Sequence, residues 1–368
     1  MKDRVRVLVV DDSAFARKVI SNVLNAQRNI EVVGTARDGL EALERITELA
    51  PDVVTLDLVM PHLDGVGVLQ ARVGQAEPRF VVVSMSDSES DLGAAALQAG
   101  AIDLVHKPTA MATERLYELG DELVHKVLTA AQASPSPILD IDVPPRASPK
   151  PGQGPGQAVP VVPAASDPLP RGRLQSTPDL RTRLVVLGAS TGGPQALARL
   201  LPALPGDLPC PLVVALHIPE GYTAALARRL DAASALQVVE ASDSMVLKAG
   251  VAAIAPGGRH LRIANRDGVP VTEVSDEPRG TLHRPSVNTL FTSAAESFGG
   301  SVLAVVLTGM GDDGLLGAEQ LVRRGGRVLT EAAVSCVVHG MPRCVLDAGL
   351  SAADIPLDRM ARAIVDQI

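Results

Sequence analysis

Apolar residues in the first 130 positions recur in short unbroken runs: "RVRVLVV" (4–10), "EVVGTA" (31–36), "VVTLDL" (53–58), "FVVVS" (80–84) and "AIDLV" (101–105). Between them apolar residues fall three or four apart, as Leu40, Leu43, Ile46 and Leu49 do. Unbroken runs predict strands buried on both faces, and the wider spacing predicts amphipathic helices. Five strand–helix units result, and such alternation predicts a parallel sheet covered by helices on both sides, with ligands at the C-terminal strand ends. Residues 181–368 repeat the pattern, with strands near "RLVVLGA", "PLVVALH" and "SVLAVVLTG" and helices near 194–204, 221–232, 286–298 and 314–324. Between 251 and 275, Pro-Gly-Gly and Asp-Gly turns separate short strands, which predicts an antiparallel hairpin added to the second sheet.

The fold class is therefore α/β, with two doubly wound, mostly parallel domains, the first flavodoxin-like and the second Rossmann-like with the added hairpin. The intervening "SPSPILDIDVPPRASPKPGQGPGQAVPVVPAASDPLP" holds many prolines and no aromatic residue. It reads as a semi-rigid spacer that cannot pack as a domain. The expected division is 1–130, a linker over 131–180, and 181–368.

Composition narrows the function classes. Aromatic residues make up only 2% of 368 and Trp is absent, so the cores must be built from Val, Leu, Ile and Ala. With 34 basic against 42 acidic residues and a net charge of −8, the chain lacks the electrostatic footprint of a nucleic-acid binder. Three cysteines without a C-x-x-C pair indicate neither a disulfide framework nor a zinc site, and a reducing cytoplasm is the expected home. No signal peptide or apolar run of about 18 residues is evident, so a membrane target is expected to be reached only through a partner.

Two sets of strand ends carry the candidate chemistry. In the first domain Asp11 and Asp12 end the first predicted strand, Asp57 the third, Ser84 the fourth and Lys107 the fifth. Clustered carboxylates repel unless a hard cation such as Mg²⁺ holds them, and a hydroxyl and an ammonium nearby can hold phosphoryl oxygens on Asp57. The plainer reading makes each aspartate a cap for the helix that follows it.

In the second domain "LGASTGGP" fits the G-x-S-x-G turn that exposes a nucleophilic serine, here Ser190. It equally fits a glycine-rich loop whose free N–H groups cradle a phosphate. A nucleophilic serine needs a base and an orienting carboxylate. His217 closes the strand in "VVALHIPEGYT", and Asp312 and Asp313 follow the strand in "AVVLTGMGDDG", at the same sheet edge. Met310 N–H is an expected oxyanion donor, and Thr191 is placed to position Ser190 or His217. His260 and His283 are rival bases. Singly, each of these residues also has a capping or turn role open to it.

The strand-end set of residues 4–125 resembles the receiver domain of two-component response regulators. That resemblance makes Asp57 the phospho-acceptor, Asp11 and Asp12 its partners on Mg²⁺, and Ser84 and Lys107 phosphoryl ligands. Leu104 stands where many receivers carry an aromatic switch residue, and Val59 replaces a frequent acidic one. The motifs "LGASTGGP", "LHIP", "HRPSVN", "LTGMGDDG" and "SCVVHGMPR", behind a receiver, resemble the CheB-type protein-glutamate methylesterases of bacterial chemotaxis. By that resemblance the catalytic residues are Ser190, His217 and Asp313, and Leu216 replaces a frequent polar residue in the pocket wall. It further implies hydrolysis of glutamate methyl esters, and deamidation of glutamines, on methyl-accepting chemotaxis receptors. A chemotaxis histidine kinase is the implied phosphodonor, the esterase domain is implied to need no cofactor, and the receiver is implied to dock over the esterase crevice. The alternative is a phosphorylation-gated binding protein whose Gly192-Gly193 loop holds a phosphate or nucleotide without catalysis.

Overall fold

The computed structural model describes residues 4–75, 77–84, 86–107, 113–133 and 182–368, without the side chains of 86–89 and 113–119. The linker expected over 131–180 lies, from residue 134 onward, outside the described residues. Among the described residues no helix is long and apolar enough to cross a membrane.

The N-terminal part alternates β1 (Val5–Val10), α1 (Ala14–Asn25), β2 (Ile30–Ala36), α2 (Gly39–Leu49), β3 (Val53–Leu56), α3 (Gly65–Ala71), β4 (Arg79–Ser84), α4 (Ser86–Gln98), β5 (Asp103–His106) and α5 (Thr113–Gln132). The strands form one sheet in the order β2-β1-β3-β4-β5, and every pairing is parallel. Val7, Leu8, Val9 and Val10 of β1 are buried on both faces, as an unbroken apolar run in such a sheet requires.

The caps decide between the two readings of the aspartates. Ser13 caps α1 by accepting from Ala16 N–H, and Asp64 caps α3 by accepting from Gly67 N–H. Asp11, Asp12 and Asp57 are therefore not the N-caps of the helices that follow them.

The C-terminal part contains β6 (Leu184–Ala189), α6 (Gly193–Leu200), β7 (Leu212–Leu216), α7 (Thr223–Ala233), β8 (Gln237–Glu240) and β9 (Val251–Ile254). Then follow β10 (His260–Arg266), β11 (Val269–Ser275), α8 (Val287–Phe298), β12 (Val302–Val306) and α9 (Leu315–Arg323). The chain closes with β13 (Arg327–Glu331), α10 (Met341–Asp347), β14 (Ala353–Ile355) and α11 (Leu357–Val365). Seven strands make a wholly parallel sheet in the order β14-β13-β12-β6-β7-β9-β8. From β6 the chain runs first to β7 and later to β12 on the other side, so the strand order reverses at β6. Open α/β sheets bind ligands at such a reversal.

The 251–275 region departs from expectation in two respects. The Asp267-Gly268 turn, with φ of 54° and 83°, does join β10 and β11 as an antiparallel hairpin. That hairpin is a separate two-stranded sheet laid on α8, where Ile263 N–H donates to Ser293 Oγ. The Pro-Gly-Gly stretch is no hairpin turn. It follows β9, an interior parallel strand, and a Cβ on Gly257 would lie 2.5 Å from the Pro219 carbonyl oxygen.

The two parts meet where β5 and α4 of the first face the loop after β6 and helices α6 and α7 of the second. Gly192 N–H donates to Ile102 O, Gln195 Nε2 to Ala101 O, and Arg228 pairs with Asp91 at 2.8 Å. Tyr222, which directly precedes α7, is fully buried against Gly93 of α4, where a Cβ would lie 2.4 Å from its ring. One continuous apolar core accordingly contains Leu97 and Leu104 of the first part and Tyr222, Leu197 and Leu216 of the second.

Candidate active site

At the C-terminal edge of the first sheet, carboxylate oxygens of Asp11, Asp12 and Asp57 lie within 4.8 Å of one another. Asp11 and Asp57 are buried and Asp12 is exposed, so the cluster opens to solvent on one side. Lys107 Nζ reaches Asp11 Oδ2 at 2.7 Å and Asp57 Oδ2 at 2.8 Å. Burial works against the ammonium, but the charges of Asp57 and Asp11 outweigh it and hold the Lys107 pKa above its ordinary value. Ser84 is buried at the end of β4, and its carbonyl accepts from Lys107 N–H, which ties the two strand ends together. Three hard oxygen donors of mixed burial suit a divalent cation with few protein ligands. Val59 is half exposed nearby in sequence, and Leu104 is buried at the contact with Tyr222.

In the second sheet Ser190 follows β6, His217 follows β7, and Asp313 comes seven residues after β12. Ser190 Oγ lies 3.1 Å from His217 Nδ1, and His217 Nε2 lies 2.8 Å from Asp313 Oδ2. With a carboxylate at Nε2 the proton sits there, which leaves Nδ1 to accept from the serine hydroxyl. The His217 side chain is only 8% exposed, so the bond to Asp313 operates in a largely dry setting.

Asp313 is held by the start of α8. Its Oδ1 accepts from Ser286 Oγ and Asn288 N–H, and its Oδ2 from Val287 N–H at 2.7 Å. Burial alone would raise its pKa. The hydrogen bond and charge of His217, with the amides of Asn288 and Val287, overcome that and hold it below the usual aspartate range. Here the capping reading and the catalytic one coincide on a single residue, because Asp313 serves the N-terminus of a helix distant in sequence. Asp312 is exposed, its carbonyl accepts from Leu315 N–H, and among the described residues it takes no part in the hydrogen-bond chain.

Ser190 is not the cap of α6. That position is Gly192, at φ 78° and without a side-chain cap, and a Cβ on Gly309 would press on Ser190. The phosphate-cradle alternative needs free N–H groups. Gly192 N–H is taken by Ile102 O and Gly193 N–H by Ser190 O. Among the described residues none accepts from Met310 N–H, whose residue follows Gly309 beside the serine.

Two expectations change, and the two rival bases take other places. The Thr191 hydroxyl does not reach Ser190 or His217; it donates to Asp103 Oδ2 across the domain contact, at 2.7 Å. Leu216 is no pocket wall, being fully buried beneath Gly193. Of the rival bases, His260 is buried and bonded to Thr281 Oγ1 and Ser286 N–H, and His283 stacks on the His217 ring at 4.0 Å.

The structure also gives roles to residues that the sequence reading left without one. Ser190 N–H donates to Thr308 O, and Thr308 Oγ1 donates to Thr191 O and accepts from Val338 N–H. Thr308 N–H in turn donates to Glu331, which is fully buried at the end of β13 and whose pKa burial raises. A carboxylate closing an apolar strand, "RVLTE", is the same signal that marked Asp57. Thr308→Val keeps the shape and strands both backbone partners, so it should cost about 1–3 kcal/mol in urea denaturation. An unchanged unfolding midpoint would remove Thr308 from the scaffold of the turn.

Family models match this chain twice: "CheB methylesterase" over residues 185–364 and "Response regulator receiver domain" over residues 7–118. A relative from Myxococcus xanthus (strain DK1622), named protein-glutamate methylesterase/protein-glutamine glutaminase 5, is 54% identical over 357 residues, covering 97% of this chain and 96% of its own. A relative of the same name without a number, from Geobacillus kaustophilus (strain HTA426), is 41% identical over 366 residues and 99% of each chain. The crystal structure of the Thermotoga maritima CheB methylesterase catalytic domain matches with a TM-score of 0.50 at 38% identity, over 50% of this chain and 98% of that one. With near-complete coverage at such identity, and both parts matched, the chain belongs to the CheB methylesterase family and carries a response regulator receiver domain.

Proposed function

We propose that this chain is a phosphorylation-regulated protein-glutamate methylesterase and glutaminase acting on chemoreceptors in the cytoplasm. The observation that carries the reading is the unbroken chain Ser190 Oγ, His217, Asp313 at the strand-order reversal. Ser190 Oγ attacks the γ-carbonyl carbon of a methylated glutamate while His217 Nδ1 takes its proton. Asp313 keeps the ring in the Nε2–H form and stabilises the imidazolium, and Met310 N–H receives the developing oxyanion. Collapse breaks the C–O bond, and His217 returns the proton so that methanol leaves. Water then attacks the acyl-serine while His217 takes its proton; collapse breaks the acyl C–Oγ bond, His217 passes that proton to Ser190 Oγ, and glutamate is released. With glutamine the same steps expel ammonia.

Asp57 is the proposed phospho-acceptor, with a chemotaxis histidine kinase as donor, and Ser84 and Lys107 hold phosphoryl oxygens. Asp11, Asp12 and Asp57 would hold Mg²⁺, which when bound neutralises charge on the phosphoryl group. The proposed control is docking: 1–130 sits on the rim of the crevice, tethered by 131–180, and phosphorylation shifts the docked population. The supporting feature is β5, which runs from Asp103, bonded to Thr191, to His106, immediately before Lys107.

The test is methanol release from methylated receptor fragments by the full chain, with and without a phosphodonor, beside Asp57→Asn. The donor should stimulate wild type and leave Asp57→Asn at the basal rate. Equal stimulation of both would refute Asp57 as acceptor, and absence of methanol from wild type with and without the donor would refute the activity.

A further inference from the structure

We propose that His283 is a positioning residue for the esterase reaction, its ring stacked on His217 so as to hold the catalytic imidazole in the plane that aligns Nδ1 with Ser190 and Nε2 with Asp313. This rests on the reading of His217 as the base. The two ring centroids are 4.0 Å apart with planes 19° from parallel. The terminal torsion of a histidine is broad and roughly two-fold, so hydrogen bonds alone leave room for tilting and flipping. A flip swaps each nitrogen for a carbon and breaks both catalytic bonds. To make it, the His217 ring must sweep its edge through space that the His283 ring fills.

The covalent context strengthens the argument. Residues 283–288, "HRPSVN", place the stacked ring on the base and, five residues or fewer later, the three donors of Ser286, Val287 and Asn288 on the orienting carboxylate. One short segment thus fixes both the base and its orienting carboxylate. Its upstream anchor is His260, whose ring bonds to Thr281 and to Ser286 N–H.

Charge allows the stack to persist through turnover. Burial, then the neighbouring charge of His217, push the His283 pKa down to about 4, and Lys126 and His125 of α5 act in the same direction against the pull of Asp313. At working pH His283 offers an uncharged aromatic face to a partner that becomes cationic as it takes the serine proton, an arrangement favourable to the cation.

The experiment compares full-length wild type, His283→Ala, His283→Phe, His283→Asn and His217→Ala in methanol release from methylated receptor fragments, with the phosphodonor present. Removing the ring should lower kcat roughly tenfold to a hundredfold with KM nearly unchanged, the cost expected of a misaligned base. His283→Phe, which keeps a flat uncharged face, should recover most of the loss. If the alanine variant does not fold, Phe against Asn decides, since only Phe keeps an aromatic face. Wild-type kcat in His283→Ala, or equal damage in the Phe and Asn variants, would overturn the positioning role while leaving the triad intact. Turnover by His217→Ala would instead overturn the base assignment, and this inference with it.

Discussion

Ser190→Ala is expected to reduce kcat for ester hydrolysis by roughly 10⁴- to 10⁶-fold, leaving the residual rate that binding and the oxyanion site supply alone. His217→Ala should match it, because the hydroxyl 3.1 Å from Nδ1 has then lost its proton acceptor. Asp313→Asn should fall by roughly 10⁴-fold, since an amide can present its N–H to Nε2 and favour the wrong tautomer. The three losses should not add, because the residues act as one unit. Single-turnover assays on folded variants, activated by phosphodonor, measure all of these. A Ser190→Ala variant as fast as wild type would return the glycine-rich turn to a purely structural role.

Gly93→Leu is expected to raise basal esterase activity and blunt the response to phosphodonor. Gly93 lies where even a Cβ would come within 2.4 Å of the Tyr222 ring, which is fully buried in the domain contact. Overpacking of that kind costs about 1–3 kcal/mol, which shifts a two-state docking equilibrium by roughly 5- to 150-fold. The two nearest clashes, with Tyr222, exist only in the docked state; a third, with Leu104 Cδ1 at 2.9 Å, lies within the first part and is common to both states. The undocked population, and the activity it carries, should therefore rise by a comparable factor until docking no longer limits turnover. Small-angle scattering should show a larger radius of gyration alongside the faster basal rate. Unchanged scattering and unchanged basal turnover would show that the Tyr222 contact does not control access to the crevice.

Much of this was legible in the chain because parallel strands buried on both faces leave unbroken apolar runs. The residues ending those runs, Asp57, Ser190 and His217, then stand out as polar where the pattern changes. The Asp267-Gly268 hairpin was legible for a similar reason, its two positive φ angles demanding such residues. Less legible was the end of the chain, where β14 has only three residues and α10 only seven, too short to show a period, although α11 carries Leu357, Met360, Ala361 and Ile364 at regular helical spacing. The sheet membership of β9 was misread because four residues, "VAAI", carry no sign of which neighbour they pair with.

The candidate site divides in the same way. Ser190, His217 and Asp313 were nameable from position and motif. The direction of the Thr191 hydroxyl was not, because its partner Asp103 is 88 positions away on another sheet. Nor was the burial of Leu216, which depends on Gly193 lying over it.

The sequence by itself determined that two parallel α/β sheets form, which residues end their strands, and which chemistry those ends can perform, since periodicity and residue type are local properties. Only the tertiary structure decided which strand lies beside which, that Asp313 is held by the start of α8, that His283 stacks on His217, and that Tyr222 and Asp103 join the two sheets. Those contacts join residues far apart along the chain, and their distances are set by how helices and sheets pack as solid bodies, which no local pattern encodes.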